Sequence, residues 1–156
     1  MDKTRRDFML TSFYAAAAVV GAGTLASFLE SCGSNPIDPN AANLATVQGT
    51  IANGSIMVTV DSSSPLANVG SAAMVQYPGG VLLVAHTAQS TFTALSSICT
   101  HQQCQISNYD SSNKNFVCLC HGSQFTTSGA VAQGPAGSPL AQHSTSFANN
   151  QLTIKA

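Results

Sequence analysis

From Thr46 onward, short apolar or alternating stretches are separated by Gly, Pro, Asn and Ser, a pattern that predicts an all-β domain over residues 45–156. Strands are expected at Thr46 to Ala52, Ile56 to Val60, Ala72 to Tyr77, Val81 to His86 and Phe92 to Leu95. Pro78-Gly79-Gly80 supplies a turn between two of them. Val81 to Ala85 is apolar at every position, which predicts a central strand buried on both faces. Further on, Tyr109 to Asn115 contains a polar turn and Phe116-Val117 leads into Cys118 as a strand. Two last strands, Ala141 to Phe147 and Gln151 to Lys155, are joined at Asn149-Asn150, where Asn tolerates positive φ.

The first 44 residues follow a different pattern. Thr4-Arg5-Arg6-Asp7-Phe8-Met9-Leu10 leads into an uncharged, largely apolar run from Met9 to Leu29. Its length and the flanking Arg pair permit a membrane helix with its basic end in the cytoplasm. The Arg pair followed by Phe and apolar residues also resembles a twin-arginine export signal. Leu29-Glu30-Ser31-Cys32 resembles a bacterial lipobox, in which Cys32 would be lipidated; alternatively Cys32 is a spare thiol at the end of an uncleaved helix. Either reading of 1–32 ties the domain to a membrane, on the periplasmic or outer side of a bacterial cytoplasmic membrane. Residues 33–44 hold two Pro and several turn formers without apolar period, and are expected to be a flexible tether.

Charge narrows the partners. Only 7% of residues are charged and the net charge is −1, so there is no basic patch for nucleic acid. Long-range steering of a partner is weak for the same reason, so docking is expected to be mostly apolar and weakly salt-dependent, or the partner to be held permanently nearby. Asp and Glu are too sparse for paired-carboxylate catalysis, and no Ser, His and acid constellation stands out, so no stand-alone catalytic site is expected.

The chemistry is concentrated in residues 99–125. Cys99-Thr100-His101 and Cys118-Leu119-Cys120-His121 place one Cys and one His on each of two short segments. Two thiolates and two imidazoles are a common zinc set, although zinc spacings usually pair thiolate with thiolate. One Cys and one His per loop also fits a binuclear iron site, with both thiolates on one iron and both imidazoles on the other. His86 and His143 lie outside this spacing and read as strand or surface residues.

Cys99-Thr100-His101 with Cys104, and Cys118 with Cys120-His121-Gly122-Ser123, resemble the two motifs of Rieske proteins, over about residues 45–156. The resemblance implies a Rieske-type antiparallel β-sandwich with a cluster-binding subdomain, and a 2Fe-2S cluster held by Cys99 and Cys118 on the inner iron and His101 and His121 on the outer. It implies a disulfide between Cys104 and Cys120, a feature of the branch found in quinol-oxidising cytochrome complexes and arsenite oxidases. Of five cysteines, Cys32 is then left alone, as a lipid attachment site requires. A cluster assembled in the cytoplasm would also require export of the folded protein, in keeping with the twin-arginine reading. The segment Gly134-Pro135-Ala136-Gly137-Ser138-Pro139-Leu140 resembles the family's proline loop, which covers the cluster on a third side.

The implied activity is one-electron transfer at a fairly high potential, since neutral imidazoles make such a cluster easier to reduce; the Rieske range is roughly −150 to +300 mV. Ser123 matches the serine whose hydroxyl bonds a bridging sulfide. Phe125 stands where high-potential members carry Tyr, and a missing hydroxyl bond of about 1 to 2 kcal/mol would lower the potential by roughly 40 to 80 mV. Gln102-Gln103 replaces the family's Leu-Gly and Leu119 replaces a Pro. The partners implied are cytochrome b- and c-type subunits with quinol, in a cytochrome bc-type respiratory complex. The alternatives are a molybdenum subunit of an arsenite-oxidase-like enzyme and, outside redox chemistry, a structural zinc module.

Overall fold

A computed structural model describes residues 38–155. The expected anchor over 1–32, with Cys32, and residues 33–37 of the expected tether lie outside the described residues. In chain order the strands are β1 (Ala41–Asn43), β2 (Ala45–Gln48), β3 (Thr50–Ala52), β4 (Ser55–Thr59), β5 (Ala72–Tyr77), β6 (Gly80–Ala88) and β7 (Thr91–Ser96). They continue as β8 (Asn108–Asp110), β9 (Asn115–Cys118), β10 (Ser123–Thr126), β11 (Val131–Gln133), β12 (Gln142–His143), β13 (Thr145–Ala148) and β14 (Gln151–Lys155).

The expected all-β fold is present, as three sheets ordered β1-β8-β9-β10-β11, β12-β7-β6-β5-β2 and β13-β14-β4-β3. Pairing is antiparallel throughout except between β2 and β5. Strand β6 behaves as its apolar run predicts: Leu82, Leu83, Val84 and Ala85 are all buried. Alternation sends Leu83 and Ala85 into a core with Leu95, Ile106, Phe116 and Phe125. Leu82 and Val84 enter a second core with Ile56, Val75, Leu152 and Ile154. One strand is thus the shared wall of two cores.

Two expected strands are broken where the chain changes sheets. The stretch 46–52 divides at Gly49, whose N–H donates to the Gln76 carbonyl at 2.8 Å. A side chain there would lie 2.7 Å from Ile56 Cγ2 and 3.0 Å from Val75 Cγ1, so the crossing is possible only for glycine. The stretch 141–147 divides at Ser144, between β12 on β7 and β13 on β14.

The tether boundary needs correcting. Residues 41–43 are strand β1, in register with Asn108–Asp110 of β8, and Leu44 is buried in the first core. Leu44 N–H donates to Ser107 O at 2.8 Å, and Asn108 Nδ2 donates to Ala41 O at 3.2 Å and to Asn43 Oδ1 at 3.1 Å. Ala-Ala-Asn carries no apolar period because this strand is held by backbone pairing and one buried Asn rather than by a buried face.

Candidate metal centre

The two Cys/His segments are loops at one end of the first core, and each folds as the same backbone turn. Gln103 N–H returns to Cys99 O at 3.0 Å, and Gly122 N–H returns to Cys118 O at 2.9 Å. Each turn closes on a left-handed residue, Gln103 at φ 56° and Gly122 at φ 76°. Glycine adopts that region freely, whereas Gln does so at a cost of about 1–2 kcal/mol. The first loop is further closed by Cys99 N–H donating to Cys104 O at 2.8 Å, and β9 and β10 flank the second.

Cys104 and Cys120 are joined as a disulfide, with Cα atoms 6.5 Å apart. It ties one loop to the other, as the resemblance implies. The sulfurs of Cys104, Cys118 and Cys120 lie within 4.8 Å of one another, but the disulfide leaves only Cys118 of these as an available thiolate. Its companion is Cys99: both thiols are free and buried, within hydrogen-bonding reach of each other. Burial pushes the Cys118 thiol up, and neighbouring Cys99 adds to this, while the Cys120 and His121 backbone N–H groups pull the other way. Two such thiols become thiolates readily only beside a cation.

His101 and His121 face each other edge to face, ring centroids 4.8 Å apart, and both are half-buried. His101 Nδ1 is buried and has no hydrogen-bond partner. An orphaned buried nitrogen costs about 1–3 kcal/mol, a cost that metal ligation would remove. The residues therefore fit a centre with two sulfur and two nitrogen ligands.

Ser123, at the start of β10, is fully buried, and its Oγ accepts the Ala136 N–H at 3.0 Å. Phe125, two residues on, is fully buried and lies opposite Phe116 in register. The nearby Tyr109 ring packs on Phe116 at 5.2 Å but gives its hydroxyl to Gly70 O at 3.2 Å. Gly134–Pro135 is a cis peptide. The segment after it is tied to the first loop by Thr100 Oγ1, which donates to Ser138 O at 2.6 Å. Spacing alone did not reveal the Ala136 and Thr100 bonds, which join residues far apart in sequence. Gln103 was visible as a departure from Leu-Gly, but its left-handed backbone was not.

His86 and His143 lie on β6 and β12, outside both loops. His86 Nδ1 donates to Leu66 O at 2.9 Å and its ring stacks on Phe92 at 4.2 Å. His143 Nδ1 pairs with Lys155 O at 3.0 Å.

A β domain whose two matched loops each present a thiol and an imidazole, locked by a disulfide, defines an iron-sulfur protein of Rieske type. The family model of the Rieske [2Fe-2S] domain matches residues 56–144, and the chain belongs to that family, with a Rieske-type 2Fe-2S cofactor. The cytochrome b6-f complex iron-sulfur subunit of Prochlorococcus marinus strain AS9601 is 39% identical over 61 residues, covering 39% of this chain and 34% of that protein. The match thus spans about a third of that relative. The ubiquinol-cytochrome c reductase iron-sulfur subunit of Bradyrhizobium diazoefficiens is 29% identical over 155 residues, covering 88% of this chain and 85% of that one. Among solved structures, the plasma membrane Rieske protein PetC3 from Synechocystis PCC 6803 superposes with a TM-score of 0.54 at 33% identity, over 64% of this chain and 99% of that one. Among the described residues no helix is long and apolar enough to cross a membrane.

Proposed function

We propose that Cys99 and Cys118 hold the inner iron and His101 and His121 the outer iron, and that the domain carries single electrons as the iron-sulfur subunit of a quinol-oxidising cytochrome bc-type complex. The observation that carries this is the orphaned, buried Nδ1 of His101, placed beside His121 and across a disulfide-locked pair of loops from two free, buried thiols. The cluster, when bound, accepts and returns one electron at a potential raised by its imidazole ligands. The chain's own part is to keep both thiols dry and to hold the two rings at a fixed angle. It also leaves the rings half open to a partner. Ile98 and Leu119, 45% and 41% exposed, give apolar contact area on the two ligand loops, which suits a partner met without charge steering.

Membrane attachment through 1–32, by a retained twin-arginine-type helix or by lipid on Cys32, belongs to the same proposal. It is supported by the Arg pair and the apolar run. A second reading, the Rieske subunit of a molybdenum enzyme of the arsenite-oxidase kind, is favoured by exposed Gln102 and Gln103 beside His101 and by the missing hydroxyl at Phe125.

Purification from membranes decides between them. The expected result is a reduced protein with a g-anisotropic EPR signal that copurifies with a b-type cytochrome. A molybdenum subunit in its place selects the second reading. A colourless protein holding one zinc overturns both. His101→Ala and Cys118→Ser are each expected to abolish the signal.

A further inference from the structure

The segment 134–140 does more than cover the loops. Ser123 has one hydroxyl proton and two lone pairs, and one lone pair is taken by the Ala136 N–H at 3.0 Å. That bond fixes which side of the oxygen faces Ala136, and it turns the proton away from it. The donor is itself held firmly. Ala136 is 5% exposed and packs in the same core as Cys99, Cys118 and Phe125. Beyond it, Thr100 Oγ1 donates to Ser138 O at 2.6 Å, Leu140 N–H to Gly129 O at 2.9 Å, and Ser96 N–H to Ala141 O at 2.8 Å. With Phe125 lacking a hydroxyl, Ser123 is the fully buried hydroxyl of β10, in register with Cys118.

We infer that the Ala136 backbone N–H is a positioning donor for the centre: by occupying one lone pair of Ser123 it directs that residue's single proton toward cluster sulfur, and so helps set how easily the cluster is reduced. The inference rests on the ligand reading above. A hydrogen bond to sulfur strengthens as the cluster gains an electron, so a well-aimed proton favours the reduced form. A hydroxyl free to rotate would spend part of its time aimed elsewhere and favour it less. Ala136 therefore acts through Ser123 and needs no contact with the cluster.

The test is a double-mutant cycle on the full-length, cluster-loaded protein, read as midpoint potential. Replacing Ala136 by lactate, through suppression with the hydroxy acid, removes the N–H but keeps the methyl; Ala136→Pro is a second route to the same loss. Each is combined with Ser123→Ala. The expected result is a lower potential for the lactate protein, in the direction of Ser123→Ala and smaller. The double variant should stay at the Ser123→Ala value. In deuterated solvent, the exchangeable coupling to the reduced centre should be lost in Ser123→Ala and broadened in the lactate protein. An unchanged potential on removing the N–H, or a shift that adds in full to Ser123→Ala, overturns the inference. Absence of a Rieske EPR signal from the unsubstituted protein would instead overturn the ligand reading.

Discussion

The two cores on either side of β6 are held together by different physics. Below it, Ile56, Val58, Val75, Leu152 and Ile154 interdigitate between sheets, with buried His86 stacked on Phe92 of the same core, so burial of side chains carries most of the stability. Above it, the core under the two Cys/His loops includes two thiols and packs beside buried Asn108, Asp110 and Ser123. That side depends on hydrogen-bonded turns and a covalent bridge. The lower region should therefore respond to lost volume, and the upper to lost geometry.

The largest effect is expected in the lower core. Ile154→Ala removes a fully buried side chain and should cost about 2–5 kcal/mol, seen as a lower chemical or thermal unfolding midpoint. The EPR line shape of the folded fraction should stay unchanged; an altered g-tensor would mean the two regions are not separable. Next comes removal of the disulfide by Cys104→Ser with Cys120→Ser. For cysteines 16 residues apart, chain entropy alone gives about 3 kcal/mol. Visible absorbance of the centre should disappear well below the temperature at which far-ultraviolet dichroism changes, and simultaneous loss would refute local control.

Phe125→Tyr tests tuning rather than folding. If its hydroxyl reaches a ligand sulfur, the midpoint potential rises by roughly 40 to 80 mV, and an unchanged potential would remove position 125 from the tuning set. Gln103→Gly should raise the unfolding free energy by up to about 1 kcal/mol, because the left-handed residue no longer carries a side chain. A loss of stability would show the Gln side chain to be compensating.

The smallest effect concerns pH. Shielding from water disfavours the Asp110 carboxylate, but hydrogen bonds from Asn113 and Ser112 outweigh it and hold its pKa below the usual range. A lowered folded pKa gives stability that is present above the unfolded value of about 3.9 and is lost as pH falls through the folded one. Protection from hydrogen exchange in 110–114 should fall under acid, and Asp110→Asn should flatten that dependence.

The same division explains what the sequence disclosed. Strand β6 was legible because five consecutive apolar residues, Val81 to Ala85, have no other use, and β14 because Leu152 and Ile154 alternate with polar neighbours. The Cys/His loops stood out through chemistry, since thiols and imidazoles in matched pairs are rarely structural filler. Strands β1, β8 and β11 were not, because each is only three residues long and none alternates between buried and exposed positions. The break at Gly49 depends on Ile56 and Val75 crowding one Cα, contacts made only after folding.

Strand β1 has a mechanical consequence for the proposed membrane attachment. With Ala41–Asn43 paired to β8 and Leu44 buried in the first core, these residues are held on the domain and do not act as free tether. Lengthening the reach of any attachment made through this end of the chain would mean peeling Ala41–Asn43 from the edge of the sheet that bears β9 and β10.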